Sequence, residues 1–111
     1  MPNQPFPPFL RSLPKADLPY DGLRGWLLQG EAGQVVFSES SVEVFVPEHT
    51  HGSQWGVVLA GRIDLTIDGK AGTFRRGDSY FIPAGAAHKA HIYPGFQAVD
   101  VYADRNRYKT L

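Results

Sequence analysis

The chain is 111 residues long, 42% hydrophobic and 20% charged, and its eleven Lys and Arg balance eleven Asp and Glu. That suffices for one modest core and leaves no basic surplus to suggest a nucleic-acid partner. With no cysteine, disulfide scaffolds, thiolate zinc sites, iron–sulfur clusters and cysteine nucleophiles are excluded.

Six of the nine prolines fall within the first nineteen residues. Proline fixes φ and removes a backbone donor, so residues 1–22 are expected to form an extended arm rather than a helix. Phe6, Phe9 and Leu10 give that arm apolar side chains. It is therefore either a frayed terminus or a segment that packs on its own barrel or on a partner. No basic stretch followed by an apolar one marks a secretory signal, and no apolar run approaches the roughly 20 residues that span a bilayer. A cytoplasmic location without membrane contact is expected.

From Leu23 onward, residues 23–111 read as one domain of short strands separated by turns. The strand candidates are GWLLQG, GQVVFSES, SVEVFVP, QWGVVLAG, RIDLTIDG, KAGTFRRG, SYFIPAG, HKAHIYPG and FQAVDVYA. Strict alternation puts Ile63, Leu65 and Ile67 on one face, and Asp68-Gly69 is the pair a two-residue hairpin prefers. No segment of ten or more residues carries a helical period. Eight or nine strands at this spacing predict an antiparallel sandwich or closed barrel. Trp55, Val57 and Leu59 alternate with Gly56, Val58 and Ala60, so this strand is apolar on both faces. One face fills the interior; the other needs a homodimer partner or the arm to cover it.

Four histidines are present, His49, His51, His88 and His91. In an extended chain His49 and His51 project to one side about 6–7 Å apart, which lets two imidazoles converge on an ion. Gly77, Pro83, Gly85 and His88 form G-x5-P-x-G-x2-H, a pattern expected by chance on the order of once per thousand such chains. Gly77 permits the turn into a strand, Pro83 ends that strand, and Gly85 allows a tight return that brings His88 back. Strand alternation puts His91 on the opposite face, at a surface or interface.

These two segments resemble the cupin superfamily over about residues 35–103. Its second motif is G-x5-P-x-G-x2-H-x3-N, matched through His88, with Ile92 in place of the terminal Asn. Its first is G-x5-H-x-H-x3,4-E-x6-G. Here His49-x-His51-x2-Gln54-x6-Gly61 departs from it: Glu43 replaces the opening Gly, one spacer residue is missing, and Gln54 replaces Glu. The resemblance implies an all-β double-stranded β-helix, a jelly-roll barrel. It implies one divalent transition metal (Fe, Mn, Ni, Co or Zn) held by His49, His51 and His88, with Gln54 ligating through its amide oxygen. Gln54 could alternatively orient the ligands or be a polar cavity residue. A carboxamide leaves the ion's full charge in place, which weakens metal binding and favours an anionic ligand; Gln54→Glu is expected to bind hard divalent ions more tightly.

Tyr80 and Asp100 lie on strands flanking the expected cavity and are candidate catalytic acid–base groups, or else face outward. Phe96, Ala98, Asp100 and Tyr102 share one face. Glu48 is expected to point away from His49, Lys89 to be solvated, and residues 105–109 to form a polar tail. Trp26 and Trp55 read as packing residues rather than substrate platforms. The leading functional reading is a small metal-dependent enzyme acting on an oxygen-rich sugar acid or carboxylate, by isomerase, lyase, hydrolase or dioxygenase chemistry. A non-catalytic ligand-binding sensor barrel is the alternative, although barrel and arm use the whole chain and leave no output element. A storage role fits poorly, because storage cupins are longer and doubled.

Overall fold

The computed structural model describes residues 5–111. Among them, nine antiparallel strands follow the alternating segments: β1 (Arg24–Gln29), β2 (Gln34–Ser40), β3 (Val44–His49), β4 (Gln54–Ala60), β5 (Arg62–Ile67), β6 (Lys70–Arg75), β7 (Ser79–Ile82), β8 (His88–Ile92) and β9 (Phe96–Tyr102). They form a five-stranded sheet in the order β1-β2-β9-β4-β7 and a four-stranded sheet in the order β3-β8-β5-β6. The two sheets face each other as a jelly-roll barrel. Asp68 and Gly69, at φ 48° and 80°, close the two-residue hairpin between β5 and β6, where Ile67 pairs with Lys70.

Val44, Val58, Ile63, Leu65, Ile82, Ile92, Phe96 and Ala98 meet between the sheets. Each is at most 4% exposed, and burying one large aliphatic side chain contributes about 1.5–3 kcal/mol. Ala16, Leu27, Val36 and Tyr102 form a second cluster with Leu18 and Tyr108 against it.

Both chain ends run along the free edge of β1. The Ala16 N–H donates to the Gly25 carbonyl and the Leu27 N–H to that of Pro14, at 2.9 and 2.8 Å. Outside that pairing, the Asp17 and Leu111 N–H groups donate to the carbonyls of Lys109 and Lys15. The sheet edge is thereby occupied, which removes an aggregation-prone feature. The first four residues of the arm, Pro2 among them, lie outside the described residues. Beyond them, the expectation of a wholly extended arm fails at one helical turn, α1 (Pro8–Arg11). Pro8 opens that turn, where the missing N–H has no intrahelical acceptor and the fixed φ already suits a helix.

The expectation of a polar tail over residues 105–109 holds for Arg105, Asn106 and Lys109, which are exposed, but not for Arg107 and Tyr108, which are half-buried. The buried side chain of Gln34 donates to the Tyr108 carbonyl and accepts from the Tyr108 N–H, at 2.9 and 3.0 Å. A side-chain amide here supplies the backbone partners a neighbouring strand would supply, so Tyr108 is clamped against Tyr102. Trp26 is buried beneath Phe6, which also touches Phe37. Trp55, expected to pack, instead stands half-exposed on the outer face of the five-stranded sheet with Leu28, Leu59, Phe81 and Val101. The arm therefore covers one end of that apolar face and leaves the other open.

Candidate metal centre

The ladder between β3 and β8 pairs Val46 with Ala90 but His49 with His88, so β3 spends one more residue than its partner over this stretch. That β-bulge contains Pro47, which has no N–H to give the ladder. Without the extra residue Glu48 would oppose His88; with it Glu48 is exposed and His49 turns inward. His51 follows in the connection to β4. The Gly85 N–H donates to the His51 carbonyl at 2.9 Å, joining the two histidine-bearing segments. The Gly52 N–H donates to Asp104 at 2.7 Å, and a Cβ at Gly52 would strike that carboxylate.

His49, His51 and His88 converge, each offering a ring nitrogen within 4.8 Å of the others. In each case Nδ1 lies against a backbone carbonyl: Pro47 at 2.8 Å, Gly52 at 2.7 Å and Ala86 at 2.9 Å. A carbonyl only accepts, so each Nδ1 carries the proton and each Nε2 is left with a lone pair. The Nε2 atoms of His51 and His88 are 3.1 Å apart. Two lone pairs at that separation repel unless a cation lies between them. Burial holds the His51 imidazolium form below its ordinary range, and the positive charges of Arg107 and the other histidines add to this. Burial acts likewise on His49, with His88 and Arg107 adding to it. Both effects disfavour a proton in that role. Adjacent ligands about 2.2 Å from one ion, at right angles, have the observed spacing, close to ordinary metal–imidazole distances. The donor set thus fits a transition metal.

His49, His88 and Gln54 line a cavity of about 60 Å3 between the sheets, with Tyr80, Asp100 and Tyr102 in its wall. Gln54 Nε2 donates to Asp100 Oδ1 at 2.9 Å and to the Tyr102 hydroxyl oxygen at 3.2 Å. The Tyr80 hydroxyl donates to the same Asp100 oxygen at 2.6 Å. Burial pushes the Asp100 carboxyl up to about 6, although the hydrogen bonds from Tyr80 and Gln54 pull it down. Burial, and then the Asp100 charge, raise both tyrosines well above the ordinary phenol range. The network requires the glycine beside it: a Cβ at Gly56 would collide with Asp100 and Tyr80.

Tyr80 and Asp100 therefore face the cavity, as do Phe96 and Tyr102. His91 lies elsewhere, stacked between Phe45 and Tyr93 and paired with Glu43 at 2.7 Å. Sequence reasoning missed Tyr20, Tyr108 and Arg107 around the histidines. Tyr20 and Tyr108 line the cavity, and the Tyr20 ring is 6.5 Å from that of His49. Their only signal was aromatic character inside segments otherwise read as arm and tail.

Residues 38–95 match the family model described as the Cupin domain. The fold is shared with an RmlC-like cupin from Shewanella frigidimarina NCIMB 400, at TM-score 0.76 and 23% identity over 96% of this chain and 97% of that one. KdgF from Halomonas sp. is similar at TM-score 0.71 and 18% identity, covering 82% of this chain and 87% of that one. Oxalate decarboxylase from Bacillus subtilis, a protein with Mn(II) centres, matches at TM-score 0.65 and 19% identity over 81% of this chain but 28% of that one. No curated protein matches the sequence.

Proposed function

The chain belongs to the cupin family, and we propose that His49, His51 and His88 hold one divalent transition metal, with Gln54 Oε1 as a fourth ligand, in an enzyme for a small oxygen-rich anion. The facing Nε2 atoms of His51 and His88, 3.1 Å apart with both Nδ1 protons committed to carbonyls, carry this reading. A bound divalent ion supplies Lewis-acid polarisation of a ligand oxygen.

The chain's own residues supply the rest. The Asp100 carboxylate accepts from Gln54 Nε2, which leaves Oε1 as the branch of the amide free to ligate. With a carboxyl near 6, Asp100 is suited to take a proton from a ligand held in the cavity, and Tyr80 steadies it by donating to Oδ1. Three neutral imidazoles and an amide leave the ion's charge uncompensated, so an anionic ligand completes the site. The names of two structural neighbours, KdgF and oxalate decarboxylase, are compatible with an enzyme. A binding barrel without catalysis is the second reading, because the same site would hold such a ligand.

Elemental analysis of untagged protein tests the centre. About one transition metal per chain is expected, lost in His88→Ala. Equal metal content in wild type and variant would remove the site. A redox-active metal would favour oxygen chemistry, and zinc or nickel non-redox chemistry.

A further inference from the structure

The cavity beside the histidines has two unlike walls. Gln54, Tyr80, Asp100 and Tyr102 stand on the five-stranded sheet. They already bond one another: Gln54 and Tyr80 both donate to Asp100, and Gln54 also donates to Tyr102. The four-stranded sheet contributes His49 and His88 at one end and, beyond them, only the aliphatic side chains of Val46, Ile63, Leu65, Ala90 and Ile92. Tyr20, Leu23 and His49 line the same cavity and are each partly exposed, which puts its rim at the surface.

The strand register shows how the aliphatic wall is stepped. His49 and Ile67 flank His88 in one rung, Val46 and Leu65 flank Ala90 in the next, and Val44 and Ile63 flank Ile92 in the third. Each rung lies about 6–7 Å beyond the one before it. Ala90 has the smallest side chain of the wall and is half-buried, whereas Ile63, Leu65 and Ile92 are at most 4% exposed. A methyl group where a branched side chain would fill the barrel leaves a recess one rung from the metal ligands. Water in that recess meets apolar surface along the four-stranded sheet, so it gains little by staying there.

We propose that this recess takes the alkyl end of a short aliphatic carboxylate whose oxygens all lie at the metal end, and that Ala90 sets the chain length it accepts. The proposal rests on the metal reading above and narrows its ligand: oxygen sits at one end of the molecule, unlike a polyhydroxylated sugar acid. The uncompensated charge of the centre draws the carboxylate, and the aliphatic wall selects what trails behind it. A hydroxyl carried along that wall would lose its water and find no partner on that side, which costs more than a methylene in the same place gains. The cavity of about 60 Å3 limits the alkyl end to a few carbon atoms.

The test uses the full chain loaded with Co(II), and follows ligand binding by calorimetry and by the visible Co(II) spectrum. The probes are lactate, 2-hydroxybutyrate, 2-hydroxyhexanoate and threonate. Threonate keeps the carbon chain and the metal-binding end of 2-hydroxybutyrate but carries a hydroxyl on each remaining carbon. In the wild type 2-hydroxybutyrate binds roughly fourfold more tightly than lactate, threonate binds on the order of tenfold more weakly than 2-hydroxybutyrate, and 2-hydroxyhexanoate gains nothing further. Ala90→Leu fills the recess, so the advantage of 2-hydroxybutyrate over lactate disappears while Co(II) uptake persists. Ala90→Val, the smaller addition, reduces that advantage in the same direction. Threonate binding as tightly as 2-hydroxybutyrate, a gain that continues through 2-hydroxyhexanoate, or an advantage that survives Ala90→Leu would overturn the proposal and leave the metal centre standing. Loss of Co(II) from both Ala90 variants would also overturn it, by placing that residue in the scaffold of the histidines. Failure of the wild type to take up Co(II) would overturn the metal reading and this ligand with it.

Discussion

Replacing Gln54 with Glu separates what the sequence suggests from what the structure requires. Judged from the motif alone, the change restores the usual cupin carboxylate and tightens binding of hard divalent ions. In the structure, however, Gln54 Nε2 donates to Asp100 Oδ1 at 2.9 Å. A glutamate in that position turns an oxygen toward a carboxylate oxygen. Two unit charges about 3 Å apart repel by about 6 kcal/mol at an effective dielectric constant of 20, enough to keep one proton on the pair at neutral pH. The added charge is then largely cancelled, and metal affinity should change by less than about threefold. In the double variant Gln54→Glu/Asp100→Asn the carboxylate moves to position 54 and the hydrogen bond survives with donor and acceptor exchanged. Affinity for Mn(II) or Co(II), measured at pH 7 against a competing chelator, should then rise on the order of 10- to 100-fold. If the single variant already binds as tightly as the double, Asp100 does not govern position 54 and the reasoning fails.

Three further outcomes are expected. Because burial, more than the neighbouring charges, lowers His49 and His51 from the ordinary imidazole value of 6.5, their neutral forms persist below it; metal affinity followed from pH 8 downward should fall only beneath about pH 6.5, and a steep decline already at pH 7.5 would contradict histidine ligation. Asp64 accepts from Tyr93, Thr73 and Arg62, which outweigh a desolvation cost and hold its carboxyl at about 2. Its folded value is depressed, so its contribution is present above the unfolded value of 3.8 and is lost as pH falls toward 2; partial exposure limits it to about 1 kcal/mol, and Asp64→Asn should flatten acid unfolding in that window by denaturant titration. Lastly, Leu28, Trp55, Leu59, Phe81 and Val101 leave an apolar face uncovered by the arm; a homodimer through this face predicts that Trp55→Lys/Phe81→Lys elutes as a monomer by light scattering while wild type is dimeric, and a monomeric wild type refutes it.

The strands were legible because alternation is a local property: Ile63, Leu65 and Ile67 point inward whatever the rest of the chain does. The histidine segments were legible for a similar reason, since Gly77, Pro83 and Gly85 each serve a backbone need at a fixed spacing from His88. The bulge at Pro47 was less so. It adds one residue between Val46 and His49; Glu48 was expected to point away from His49, but only the ladder with β8 shows that an extra residue is what turns it outward. The tail was illegible altogether. Its docking depends on the Gln34 side chain, 74 positions away in sequence, and no local pattern encodes a pairing made by a side-chain amide.

That distance has a functional consequence. Asp104 fixes Gly52 beside His51, Arg107 bonds Tyr20, and Tyr108 lines the cavity next to Tyr102. The barrel supplies the imidazoles, which sequence motifs of cupins already suggest. The charge distribution around them comes from outside those motifs: an amide where a carboxylate is usual, the negative charge set one residue back at Asp100, and a guanidinium brought in by the tail. The amide and the guanidinium raise the positive potential around the centre, and the Asp100 carboxylate, where ionised, opposes them. Loss of the Gln34 clamp should therefore reach the site through the tail: in Gln34→Ala, Co(II) affinity measured against a competing chelator should fall by about threefold to tenfold, because Asp104 no longer fixes Gly52 beside His51, and an unchanged affinity would show that the barrel alone sets the centre.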